Sequence, residues 1–177
     1  MRARRFFQSF RKSKDGSTAV EFAMIAGPFF FFLMALIEVA AVFFASTVIE
    51  NAVLESARLI RTGQLQGGGG DAASFQAEVC NRIDVIADCD RMAFEVTVFE
   101  DFGDVTPNAP LDSDGNFDTG NMGFDPGDAG DIVMVRVYYS WPLFLPNFAG
   151  TLSNMADNQR LIIASTVFRN EPFGDGS

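Results

Sequence analysis

The chain contains no histidine. That removes His-based triads, His general bases and most zinc sites. Cysteine occurs twice, and lysine is absent beyond Lys14. Residues 17–177 hold seven arginines against 22 acidic residues, a net charge of −15. A body so acidic has little with which to neutralise phosphates, so no nucleic acid partner is expected. Charge as a whole is sparse, at 20% against 48% hydrophobic residues, which is not the composition of a disordered acidic tail. No nucleophile elbow, phosphate loop or metal signature is present. The expectation is a protein that is not an enzyme, with no catalytic residue and no cofactor.

What is abundant is phenylalanine, with 20 copies in 177 residues. The length allows one ordinary domain and an appendage. Six of the 13 basic residues lie in the first fourteen positions, giving residues 1–16 a net charge of +5. Residues 22–37 carry no charge, then Glu38 intervenes, then residues 39–49 are again uncharged. As a helix at about 1.5 Å per residue, residues 22–49 span about 40 Å, more than a bilayer core of about 30 Å. The basic cluster on the N-terminal side puts residues 1–16 in the cytoplasm and the acidic body outside. The alternative is a secretory signal peptide cut near Ala45, but its apolar core exceeds the usual length of about 7 to 15 residues.

The start of the span reads Lys14-Asp15-Gly16-Ser17-Thr18-Ala19-Val20-Glu21-Phe22. A Gly, four small or apolar residues, a Glu and an aromatic before a long apolar helix resemble a prepilin peptidase site. That resemblance implies a cut between Gly16 and Ser17, with Glu21 becoming the fifth mature residue and Glu21 and Phe22 recognised by the peptidase and in assembly. A glutamate at the mouth of a bilayer is expensive; in a filament it would pair with the new amine of a neighbouring Ser17. The plainer reading is a Glu resting among headgroups. Pro28 removes a helical hydrogen bond, so a kink is expected there. Glu38 costs about 2.5 to 3.5 kcal/mol at mid-bilayer on insertion scales, marking a packing or partner-facing side.

The helical period continues through Val48, Ala52, Leu59 and Ile60 and stops at Gly63. The organisation expected is a basic cytoplasmic leader (1–16), an N-terminal segment and transmembrane helix (17–49), an extracytoplasmic continuation (50–63) and an extracytoplasmic domain (64–177). Residues 64–71, with four consecutive glycines, read as a flexible connection. Residues 73–87 read as a second amphipathic helix with Phe75, Val79, Ile83 and Ile86 on one face. Cys80 and Cys89, outside the cytoplasm, suggest a disulfide, the alternative being two buried thiols. In one continuous helix they would be about 13 Å apart, so the bond requires the helix to end near Ala87.

Alternation over residues 94–99, 132–141 and 161–168 predicts three strands. Three or four antiparallel strands on a long helix make an α+β layer with one sheet face covered. Residues 102–130 form a long acidic loop. Within it Asp112, Asp114, Asn116 and Asp118 alternate as calcium ligands do, but the register of a calcium loop fails, with Phe117 where Gly belongs. A solvated loop without metal is the preferred reading. The run 141–148 is apolar yet contains Pro142 and Pro146, so it is not a central strand; it caps the core or faces a partner.

Taken together, the chain resembles TadE-like minor pseudopilins of the tight-adherence (Tad, or Flp) pilus machinery. The resemblance rests on residues 16–23 before the span, Glu38 within it, and Glu55-Ser56-Ala57-Arg58 to Arg61-Thr62-Gly63 closing the helix. Gly130-Asp131-Ile132-Val133, Pro142-Leu143 and Phe168-Arg169-Asn170-Glu171-Pro172 also fit. It implies a pilin-like domain and a minor pilin of a type IV-like pilus acting in assembly, initiation and surface adhesion. The implied partners are a prepilin peptidase, other pilins and pseudopilins, and the inner-membrane assembly platform. The implied location is the bacterial inner membrane as a single span, N-terminus cytoplasmic. The alternative is a membrane-anchored extracytoplasmic binding module that uses the acidic loop for calcium.

Overall fold

The computed structural model describes residues 16–105, 110–120, 122–145 and 152–174. The basic leader to residue 15 and residues 146–148 of the two-proline run lie outside the described residues. The chain divides into two compact units, one up to Glu38 and one from Val39 onward. Helix α1, Ser17–Arg61, supplies the described part of the first and continues into the second. It is continuous through Pro28.

In the second unit α1 offers one apolar stripe. Val42, Ala45, Ile49, Ala52, Val53, Ala57 and Ile60 recur at steps of three and four and are all buried. This is the pattern a helix needs to bury one face against a sheet. The helix stops at Gly63, whose backbone is left-handed at φ 72°. An added Cβ there would fall inside the ring of Phe173, so both conformation and space call for glycine. The expected flexible connection is corrected here: Gln64–Gly67 forms one further turn, α2. Leu65 is the reason, because it buries in the core. Gly70 then approaches Leu65 closely, its N–H donating to the Leu65 carbonyl at 2.8 Å.

Helix α3, Ala72–Ile83, opens on a capping box in which Asp71 and Ser74 satisfy each other's backbone N–H groups. The bonds from Ser74 hold the Asp71 carboxyl below its ordinary pKa. Phe75, Val79 and Ile83 are its buried face, as the sequence predicts. It ends four residues earlier than expected. Ile86 and Ala87 donate to the Ile83 carbonyl in a turn, which brings Cys89 back to Cys80 as a disulfide with Cα atoms 5.9 Å apart.

The sheet is antiparallel in the order β1, Met92–Phe99; β2, Ile132–Pro142; β3, Gln159–Arg169. β2 runs through Trp141, as the alternation predicts, and on into Pro142, against the expectation for the proline run. The pairing of β1 ends at Met92 opposite Tyr139, so the missing N–H of Pro142 leaves no ladder broken. Val133, Val135, Val137 and Tyr139 face the core with α1 and α3. Ile132, Met134, Arg136 and Tyr138, on the other face, are buried as well.

The expectation of one covered sheet face is therefore corrected, and the acidic loop explains it. Leu111 and Phe117 bridge each other, and the Phe117 ring lies 5.6 Å from that of Tyr138. A second stretch of the loop pairs with the edge of β1: Val96 donates to the Gly123 carbonyl and accepts from Asp125, each at 2.9 Å. Phe124 thereby reaches Phe75, ring centres 5.9 Å apart.

Candidate functional site

The apolar helix and its N-terminal boundary form the candidate site. The Gly16 carbonyl accepts the Val20 N–H at 3.1 Å, so the Gly16–Ser17 peptide stands where the helix begins. Gly16 is exposed, its φ lies outside the left-handed region, and among the described residues nothing comes within 4 Å of where a Cβ would stand. Nothing in the described residues requires a glycine there. One turn on, Glu21 and Phe22 are both exposed. Beyond them Met24, Ile25, the four phenylalanines 29–32, Leu33, Met34, Leu36 and Ile37 are exposed too. Water would not tolerate so continuous an apolar surface. By length and composition this helix is a candidate single-span membrane anchor.

Pro28 is exposed within this stretch. Glu38 is not: it is only 6% exposed, and Ala35 three residues earlier is buried too. The spacing sets them on one side of α1, the side on which a costly acid is kept from an exposed apolar surface. Gly16, Glu21 and Phe22 thus occupy one end of α1 and Glu38 lies further along it. Cys80 and Cys89 belong to the second unit and hold α3 to the start of β1.

The four positions weighed as calcium ligands form the tip of a turn. Asp112 Oδ1 accepts the N–H groups of Asp114 at 2.9 Å and Asn116 at 2.8 Å, and Oδ2 accepts Asn116 Nδ2 at 3.1 Å. These bonds, the Asn116 backbone N–H foremost, hold the Asp112 carboxyl below its ordinary pKa. Asp118 Oδ1 accepts the Gly120 N–H at 2.8 Å. Among the described residues no group of three or more acidic or cysteine side chains gathers as a metal cage. Backbone N–H groups do for this turn what a cation would do in a calcium loop.

A polar cluster on the back of the sheet is one that the sequence did not announce. Glu95 and Arg136 are register partners on β1 and β2, with Nη1 and Oε2 3.9 Å apart. The Tyr138 hydroxyl donates to the same Oε2 at 2.8 Å. Arg136 is 7% exposed and Tyr138 1%. Burial, reinforced by the bond to Glu95, pushes the Tyr138 phenol up to about 12. With Pro110, Leu111 and Met122 of the loop, these residues border a cavity of about 280 Å³. The available signal was the alternation itself, since Ile132, Met134 and Tyr138 are too apolar for a solvated face.

Three segments of the resemblance, at the end of α1, at the start of β2 and at the end of β3, also meet, while Pro142-Leu143 lies at the other end of β2. Arg61 pairs with Glu171 at 3.3 Å, and the Glu171 N–H donates to the Arg61 carbonyl at 2.8 Å. Asn170 Nδ2 donates to the carbonyls of Pro126 and Asp128. Gln66 reaches the same turn through Pro126. The end of α1, the end of β3 and the turn before β2 are thus tied at one node.

Residues 16–58 match the family model described as TadE-like protein. The match covers the helix start, the whole apolar run and Glu38, and stops before Arg61. Neither a curated protein nor a solved structure matches the chain.

Proposed function

We propose that this chain is a minor pilin or pseudopilin of a Tad (Flp) type IV-like pilus, trimmed by a prepilin peptidase and acting in pilus assembly, initiation and surface adhesion. The observation that carries this reading is Gly16. It is an exposed glycine that nothing in the described residues requires, placed where α1 begins and where the TadE-like match starts. With no described residue within 4 Å of where its Cβ would stand, Gly16 is open to recognition from outside, and a peptidase reading Gly16, Glu21 and Phe22 would supply that recognition.

Cleavage would leave the Ser17 amine at the tip of α1. Glu21 of a neighbouring subunit would pair with it, the charges attracting strongly where apolar helices exclude water. Lateral association of the phenylalanine-rich faces would supply the assembly energy. Glu38 would face packed helices or the inner-membrane platform, and the domain beyond the membrane would meet other pilins. In this reading the role is structural rather than catalytic, the N-terminus is cytoplasmic and the membrane is the bacterial inner membrane. The test is a Glu21→Ala variant that is still cleaved: it should fail to support assembly, and normal assembly would rule out the pairing.

A further inference from the structure

We infer that the end of the second unit formed by Phe43, Phe44, Phe144 and Leu152 rests in the surface of the bilayer, as an interfacial foot beside the span. This rests on the reading that α1 is a membrane anchor. Three observations from different parts of the chain support it.

The first is charge. Residues 137–156 form the longest uncharged stretch after α1, in a body of net charge −15. The second is placement. Pro142, the last residue of β2, pairs with Gln159, the first of β3, and Leu143 exchanges two hydrogen bonds with Asn158. Leu143 and Asn158 therefore lie at the same end of the sheet as Arg160. Arg160 in turn borders a hollow of about 450 Å³ together with Val39, Val42, Phe43 and Leu152. The β2–β3 end is thus set beside the very residues at which α1 leaves its long apolar run.

The third observation is exposure. Phe144 is 78% exposed, Phe43 69% and Phe44 61%. Phe43 and Phe44 carry the apolar surface of the span to its end, and Phe144 adds an exposed ring from the otherwise acidic domain at that same end. Bilayer surfaces accept aromatic rings at headgroup level. The rim fits such a surface as well. Arg160, which donates to the Leu152 carbonyl at 2.8 Å, offers a cation toward lipid phosphate, and Asp157 is the acid nearest in sequence.

The disulfide leaves no free cysteine, so single labels can be introduced cleanly. The full chain, carrying Phe144→Cys with an environment-sensitive fluorophore, is reconstituted in phosphatidylethanolamine and phosphatidylglycerol vesicles containing lipids with a nitroxide high on the acyl chain. Ile25→Cys reports the anchor, Ser113→Cys the water-exposed turn, and Phe43→Cys is a second probe of the foot. The labels at 144 and 43 should lose emission to the shallow nitroxide, within about 10 Å of the headgroup boundary, while the label at 113 keeps its emission. A quenched label at 25 with unquenched labels at 144 and 43 would overturn the foot and leave the anchor standing. A label at 25 that no nitroxide depth quenches would overturn the anchor, and the foot with it.

Discussion

Raising the pH should unfold this protein earlier than its composition suggests, and Tyr138 should be the cause. Its phenol is buried and donates to Glu95, which pushes its pKa up to about 12 from 10.0. In the unfolded chain the phenol ionises near the lower value. Below pH 10 both states keep the proton and the native interaction contributes fully. As the pH rises toward 12, the unfolded state releases its proton first, so stability falls through that window. The rise from 10.0 to about 12 is worth at most about 2.7 kcal/mol, and solvent screening through the adjoining cavity lowers that figure. The chain has two tyrosines, so phenolate absorbance of the wild type minus that of Tyr138→Phe isolates this one group. Urea unfolding of the full chain in detergent micelles supplies the second readout. The wild-type midpoint should fall between pH 10 and 12 relative to that of the variant. A Tyr138 phenolate that appears near pH 10, with parallel midpoints, would refute the reasoning from burial.

The Cys80–Cys89 bond closes a loop of sequence separation 9, so the double serine variant should lose about 2.6 kcal/mol in the chain-entropy treatment; an unchanged urea midpoint would show that other contacts already fix the turn. Phe75 is fully buried among α1, α3 and the sheet, and Phe75→Ala should cost about 3 to 5 kcal/mol by the same melts. A loss below that range would mean that Phe94 and Phe124 close over the gap. Gly63→Ala should cost about 1 to 3 kcal/mol for the left-handed backbone, plus a ring clash that Phe173→Ala relieves. If Phe173→Ala recovers none of the loss, the clash is not part of it.

The long helix, the three strands and the cysteine pair were legible because each rests on a local pattern. Phe75, Val79 and Ile83 mark a helix face and Val133, Val135 and Val137 a strand face without reference to anything distant. What was not legible depended on long-range packing. Leu111, Phe117 and Phe124 lie among aspartates and glycines, and nothing local says that they close over β2 and the edge of β1. The end of α3 at Ile83 likewise depends on the return to Cys89. For the candidate site the order was reversed. The proposed roles of Gly16, Glu21 and Phe22 came from spacing, whereas the open space around Gly16 among the described residues needed coordinates. Glu38 was readable as costly in a span, and its burial on the Ala35 side followed only from the folded helix.

The most direct measurement is the mature N-terminus. The full chain would be expressed in bacterial membranes with and without a matched prepilin peptidase, and its terminus determined by intact mass and terminal sequencing. The account predicts a chain beginning at Ser17 in the presence of the peptidase and an uncut chain in its absence. A terminus at Met1 in both samples, or a cut near Ala45 in the middle of a buried helix stripe, would contradict it.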